Sequence, residues 1–235
     1  SGGGGVVTAY PNRVPEPEEI AGLTYREALE LSYLGPKVIH PQTMSPAVER
    51  GIPIYIKNTF KPADAGSKIS ATASAGPAIK GITTVENVAL VNIEGTGMIG
   101  VPGTADRLFG ALRTAGISVI LISQASSEHS ICFAVPGAMQ ARVADVVREA
   151  FASELEQNQI QSVDVRANCS ILAVVGDGMA GTPGIASRFF GTLGNAGINI
   201  RAIAQGTSDR NISAVIDSDV ATRALRAANE GLYMS

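Results

Sequence analysis

Two stretches of the chain repeat one another at a constant separation of 81 residues, with no gap. Gly95 falls on Gly176, Gly97 on Gly178, Met98 on Met179 and Pro102-Gly103 on Pro183-Gly184. Farther along, Arg107, Phe109 and Leu112 meet Arg188, Phe190 and Leu193, Ala115-Gly116-Ile117 meets Ala196-Gly197-Ile198, and Gln124 meets Gln205. Agreement of that length marks the duplication of one structural unit, so the chain must fold as two copies of one supersecondary pattern.

The unit can be read from its periodicities. Val88–Ile93 and Ile171–Val175 are β-branched apolar runs and predict buried strands. A glycine-rich loop follows each. Apolar residues at 105, 108, 109, 112 and 115, copied by Ala186, Phe189, Phe190, Leu193 and Ala196, then predict a helix, which Gly116 or Gly197 stops. Strands are expected at 117–123 and 198–204. The turns after them are too short for a crossover, so Ser130–Val135 and Asn211–Ile216 return antiparallel. Second helices are expected over 138–151 and 218–229. Each copy thus runs β-α-β-β-α, and the ferredoxin-like pattern wants a fourth strand. Copy one has Ser162–Arg166. Copy two has no strand-like run after its last helix, so Ile52–Lys57 is expected to supply it. That makes copy one an insertion within copy two. The expected division is a linker or expression scar at 1–5, a leading segment at 6–51, the completing strand at 52–58, the first unit at 81–167 and the second at 168–235.

Composition narrows the function. Hydrophobic residues make up 45% of the 235 residues, enough for a true core, and the net charge of −3 gives no electrostatic reason to bind nucleic acid or an anionic membrane. No apolar run is long enough to span a bilayer. Cys132 and Cys169 each sit in an apolar stretch and read as small core residues in a reducing compartment. His40 and His129 lie in different segments, and no cluster has metal-ligand spacing.

Gly95-Thr-Gly97-Met-Ile-Gly100 and Gly176-Asp-Gly178-Met-Ala-Gly181 both match the dinucleotide fingerprint GxGxxG. The context argues against that reading. Pro102-Gly103 and Pro183-Gly184 delay the helix, the next strands form a hairpin, and no acidic residue ends the second strand to hold a ribose. Such a loop can still bring backbone N–H groups to a small carboxylate, or it can serve only as a tight turn. Gln124 and Gln205 end their strands at the same position of the repeat, where an amide could read a small polar side chain. Ser118 and Asn199 stand at the other end of those strands.

These residues resemble ACT domains, small-molecule sensors attached to metabolic enzymes. Asn87-Val-Ala-Leu-Val-Asn-Ile-Glu-Gly-Thr-Gly-Met98, Ser123-Gln-Ala-Ser-Ser-Glu-His-Ser130 and Ala204-Gln-Gly-Thr-Ser208 resemble aspartate kinases, nearest the threonine-sensitive type fused to homoserine dehydrogenase. The leading segment agrees. Val7-Thr-Ala9 with Pro11-Asn-Arg-Val-Pro15 is similar to the nucleotide side of the amino-acid kinase domain. Thr24-Tyr-Arg-Glu27 is a capping box, and Pro36-Lys-Val-Ile-His-Pro41 resembles the motif whose lysine, here Lys37, faces ATP phosphates. Tyr10 and Pro36 depart from the family pattern, where an acidic residue and an alanine are common.

The resemblance implies an α+β fold of two βαββαβ ACT domains, the first inserted in the second, on a stub of kinase domain. It implies a regulatory part of an enzyme that phosphorylates L-aspartate with ATP and magnesium. This chain is expected to hold no cofactor and to catalyse nothing alone. Carried over by position, the effector site uses Met98, Gly100, Val101, Thr104, Ser118, Val119, Ile120 and Gln124, and the matching positions around Asn199 and Gln205 form either a second site or only a pairing surface. Threonine is the expected effector, a homodimer the expected assembly, and the cytoplasm, or a plastid for a plant or algal parent, the expected location. Lysine sensing and dimerisation without ligand are the alternatives.

Overall fold

Two strands of fourteen residues, far longer than the usual five or six, run side by side through the middle of the molecule. The computed structural model describes residues 5–15, 17–34, 39–72, 76–96, 103–123, 130–205 and 210–233. In chain order the leading segment forms β1 (Gly22–Thr24), α1 (Tyr25–Leu34), α2 (Pro41–Arg50), β2 (Ile54–Ile56) and β3 (Ser67–Ser70). The first repeat contributes β4 (Gly81–Glu94), α3 (Thr104–Thr114), β5 (Leu121–Ser123), β6 (Ser130–Pro136), α4 (Gln140–Ala150) and α5 (Ala152–Glu156). Then come β7 (Ser162–Val175), α6 (Ile185–Asn195), β8 (Ala202–Gln205), β9 (Asn211–Asp217) and α7 (Ala221–Tyr233).

One six-stranded sheet, in the order β5-β6-β4-β7-β9-β8, holds both repeats. Its central pair is antiparallel, from Gly81↔Val175 to Glu94↔Ser162. Each long strand does two jobs. Residues 88–94 of β4 are the first strand of copy one and pair with β6, while 81–85 lie against 171–175 and complete copy two. In β7, 169–175 open copy two and pair with β9, while 162–166 complete copy one. The insertion of copy one in copy two therefore stands. The strand responsible is Gly81–Val85, and the expectation for Ile52–Lys57 is corrected. Ile54–Ile56 pairs instead with β3, in a separate sheet ordered β1-β3-β2. The physical reason is continuity. A strand already feeding the sheet extends its ladder without a new loop closure, whereas 52–57 would have to be carried across.

Both long strands break register at the same place. Asn87 (φ 54°) and Asn168 (φ 54°) are left-handed, 81 residues apart, and sit where the ladder shifts between Val85 and Leu90. Asparagine tolerates that conformation better than other side chains, because its amide can bond locally. The bulge re-aims each strand from one repeat to the other.

Helices cover one face of the sheet. Leu108, Leu112, Val143 and Val147 pack on Val91, Ile93 and Phe133 in copy one, and Phe189, Leu193, Ala224 and Leu225 on Leu172, Val174 and Ile216 in copy two. The sheet curls until its end strands meet, with Ser123 Oγ donating to the Ile203 carbonyl at 2.7 Å. Val88, Leu90, Ala134, Cys169, Ile171 and Val215 fill the inner face. On the surface, Asp217 at the end of β9 joins Arg201 (2.6 Å) to Arg166 (3.0 Å), a residue of copy one's fourth strand, and the Arg201 guanidinium holds its carboxyl below the usual range. Among the described residues no helix is long and apolar enough to cross a membrane.

The leading segment is docked on copy two. The capping box forms as read: Glu27 N–H donates to Thr24 Oγ1 (3.1 Å), and Thr24 N–H to Glu27 Oε2 (2.8 Å). His40 caps α2, its Nδ1 accepting from Gln42 N–H. Ala9 and Val14 enter the core of copy two, and α1 packs with Ala173 and Val175 on the other side of the sheet. Because Asn168 is exposed, its backbone conformation alone sets the cost of replacing it. Asn168→Val is expected to lower unfolding free energy by about 1–2 kcal/mol, and Asn168→Gly by much less, both read from urea midpoints.

Candidate functional site

The loop after β7 is described throughout, and its glycines divide into two kinds. Gly176 and Gly178 lie under the chain that leads into β4. A Cβ on Gly176 would overlap the Ala78 carbonyl, and one on Gly178 would come within 2.8 Å of Ala78 Cα. In copy one Gly95 lies likewise under Gln159 and Ile160, again 81 residues on. The first glycine of each fingerprint match therefore makes room for the protein's own backbone, not for a pyrophosphate. Gly181 (φ 74°) and Gly184 (φ 87°) are different. They are left-handed, with open space where a side chain would stand.

Gly184 leads into α6, and no side chain caps that helix. Its first N–H groups and the positive end of its dipole belong to the rim of a cavity of about 310 Å³. Met179, Gly181, Thr182, Pro183, Gly184, Ile185, Ala186, Gln205 and Ile212 line it, and none of these side chains is charged. Thr182 Oγ1 donates to the Gly178 carbonyl at 2.6 Å and closes the loop on itself. Gln205 reaches the cavity because β8 ends there, paired with Ile212. A neutral, hydrogen-bonding pocket beside an uncapped helix start suits a small zwitterion, whose carboxylate meets the N–H groups.

Of the residues singled out in the sequence, Gln205 is the one that joins this cavity. It also borders a wider groove of about 500 Å³, shared with Ile120, Leu29, Glu30, Tyr33 and Asn211. In copy one, Thr104 begins α3 after Gly103 (φ 85°), the same uncapped start as in copy two. Ser118 and Asn199 are exposed and border neither cavity. Val119 packs into the helix-side core, and Ile120 turns to the inner face with its N–H already given to the Ala134 carbonyl at 2.8 Å. Met98, Gly100, Val101, Gln124 and Lys37 lie outside the described residues. Gly181, Thr182 and Ile185 are absent from the effector set carried over by position, although the 81-residue repeat places them on Gly100, Val101 and Thr104.

Arg13 is ion-paired with Glu86 and stacked 5.5 Å from the Tyr10 ring, and Tyr10 donates to the Thr84 carbonyl, its hydroxyl pKa raised by burial. Among the described residues no group of acidic, histidine or cysteine side chains is placed to hold a metal ion. Burial also raises the thiol pKa of Cys132 and Cys169, which disfavours nucleophilic thiolates.

Comparison with known proteins places the chain in a family. The ACT domain family matches residues 91–151 and 172–232, and the amino acid kinase family matches 1–58. The bifunctional aspartokinase/homoserine dehydrogenase of Haemophilus influenzae is 48% identical over 231 residues, covering 97% of this chain and 28% of that protein. Aspartate kinase from Clostridium acetobutylicum, described as an allosteric enzyme, superposes with a TM-score of 0.88 at 28% identity, over 97% of this chain and 52% of its own. Escherichia coli aspartokinase III in complex with lysine and aspartate gives 0.77 at 25% identity, over 98% and 50%. The chain spans 26–28% of the length of the bifunctional relatives from Arabidopsis thaliana and Haemophilus influenzae.

Gly176→Ala is expected to cost about 1–3 kcal/mol, because backbone rather than a flexible side chain meets the new methyl. Gly191→Ala, mid-helix in α6 with open space around it, should gain about 0.5–1 kcal/mol. Denaturant titration of the two variants checks both signs.

Proposed function

Because the chain belongs to the ACT domain family, carries a segment of the amino acid kinase family and is homologous to the regulatory region of aspartokinase/homoserine dehydrogenases, we propose that it senses an end-product amino acid for an aspartate kinase. The parent would convert ATP and L-aspartate to 4-phospho-L-aspartate, with magnesium. These residues alone would transfer no phosphate and need no cofactor.

The observation that carries the reading is the convergence, in one uncharged cavity, of an uncapped helix start, two left-handed glycines and the Gln205 amide. A bound amino acid would place its carboxylate at the N–H groups of residues 184–186 and its side chain at Gln205. Threonine suits this lining, since an amide can exchange hydrogen bonds with a hydroxyl. Lysine would bring a second ammonium, on its side chain, to a wall with no carboxylate, an expensive mismatch. By the repeat, Met98, Gly100, Val101, Thr104 and Gln124 would form the matching site of copy one. Effector that prefers one arrangement of the ACT pair shifts the parent kinase toward an inhibited state, with couplings of about 1–3 kcal/mol typical of such devices. Two chains would associate through the outward surface of β5 and β8, where Ile122 (53%) and Ile203 (44%) remain exposed apolar surface.

Calorimetric titration with threonine and then lysine tests the proposal. Heat with threonine, weakened about tenfold by Gln205→Ala, is the expected result, equivalent to one lost hydrogen bond. Heat with lysine alone overturns the effector, and silence with both overturns the sensor reading for this chain.

A further inference from the structure

The loop of the copy-two cavity is held from behind by the kinase segment. Glu27 is 1% exposed, and both of its carboxylate oxygens are used. Oε2 accepts from Thr24 N–H within the capping box (2.8 Å), and Oε1 accepts from the backbone N–H of Asp177 (2.8 Å). Asp177 opens the turn that runs through Met179 into the cavity wall. Its side chain is also bound, accepting from Thr24 Oγ1 (2.7 Å) and ion-paired with Arg210 (2.7 Å). One turn farther along α1, Glu30 Oε2 accepts from Asn211 Nδ2 (2.8 Å). Asn211 begins β9, and its neighbour Ile212 pairs with Gln205. Two acids on one helix face therefore grip the two walls of the cavity, Glu27 the glycine loop and Glu30 the hairpin that carries Gln205.

Copy one is wired differently. The residue matching Asp177 is Thr96, and its N–H goes to Gln161 Oε1 (3.0 Å), a neutral amide from within the repeat. A buried carboxylate is tolerated when charge-assisted hydrogen bonds satisfy it, and such bonds are stronger than neutral ones. The substitution of an external carboxylate for an internal amide thus ties one site, and not its twin, to the kinase segment.

The geometry points to Glu27 as a positioning residue of the copy-two effector site, which sets the loop for binding and carries the occupancy of that site to α1. This rests on the sensor reading above. By reciprocity, a ligand that tightens the loop also tightens the hold on α1.

The test uses the 235-residue chain, with threonine as probe. Gln has one acceptor oxygen, so Glu27→Gln can hold only one of the two N–H groups. It should weaken threonine binding at the copy-two site about tenfold, by the loss of a charged hydrogen bond, and speed hydrogen exchange of the amides of residues 177–179 without ligand. Glu30→Ala, at a half-buried position that spares the capping box, should weaken binding several-fold and keeps the test available if Glu27→Gln does not fold. A purely structural role would lower Tm and leave affinity unchanged. If wild-type chain binds threonine and both variants bind equally well, the positioning role is overturned and the sensor reading stands. If wild-type chain binds no threonine, threonine fails as the effector, and exchange at 177–179 decides the positioning claim: unchanged protection in Glu27→Gln overturns it.

Discussion

The ladder between β4 and β7 is the constraint on which everything else rests. Eleven residues of β4 have partners in β7, and each strand is the last strand of one repeat and the first of the other. Neither repeat can complete its sheet without the other's chain. The left-handed bends at Asn87 and Asn168 make this sharing geometrically feasible, because a straight strand of that length could not serve two differently oriented halves. Separation of the repeats would expose unpaired strand edges on both.

The same sharing explains the glycine loops. Where a fourth strand enters the sheet it passes over the loop of the repeat it completes, and Gly95 and Gly176 lack side chains because backbone crosses there. The ligand-facing part of the loop begins only beyond that crossing, at Gly181 and Gly184 in copy two. One loop thus has a packing half and a binding half. The leading segment adds asymmetry to a near-symmetric pair, since α1 packs on the sheet beside copy two and brings two carboxylates to its cavity.

Much of this was legible in the residues. The gapless repeat predicted the βαββα units, Gly116 and Gly197 predicted the helix stops, and Thr24-x-x-Glu27 predicted the capping box. The missing strand was misplaced because Ile52–Lys57 looks like an isolated strand, whereas Gly81–Val85 merges into the longer run behind it. Extending the repeat upstream would have found it, since 81–85 stand 81 residues before 162–166 and Asn87 stands 81 before Asn168. The site was half legible. Gln205 announced itself by recurrence, but the second bond of Glu27 reaches a residue 150 positions away, and no local pattern reports a contact of that range.

The most direct measurement is a crystal structure of the chain grown with threonine. The amino acid is expected to sit against Gly181–Ala186, carboxylate toward the start of α6 and hydroxyl on Gln205. Threonine bound away from both glycine loops, with the copy-two cavity empty, would contradict it.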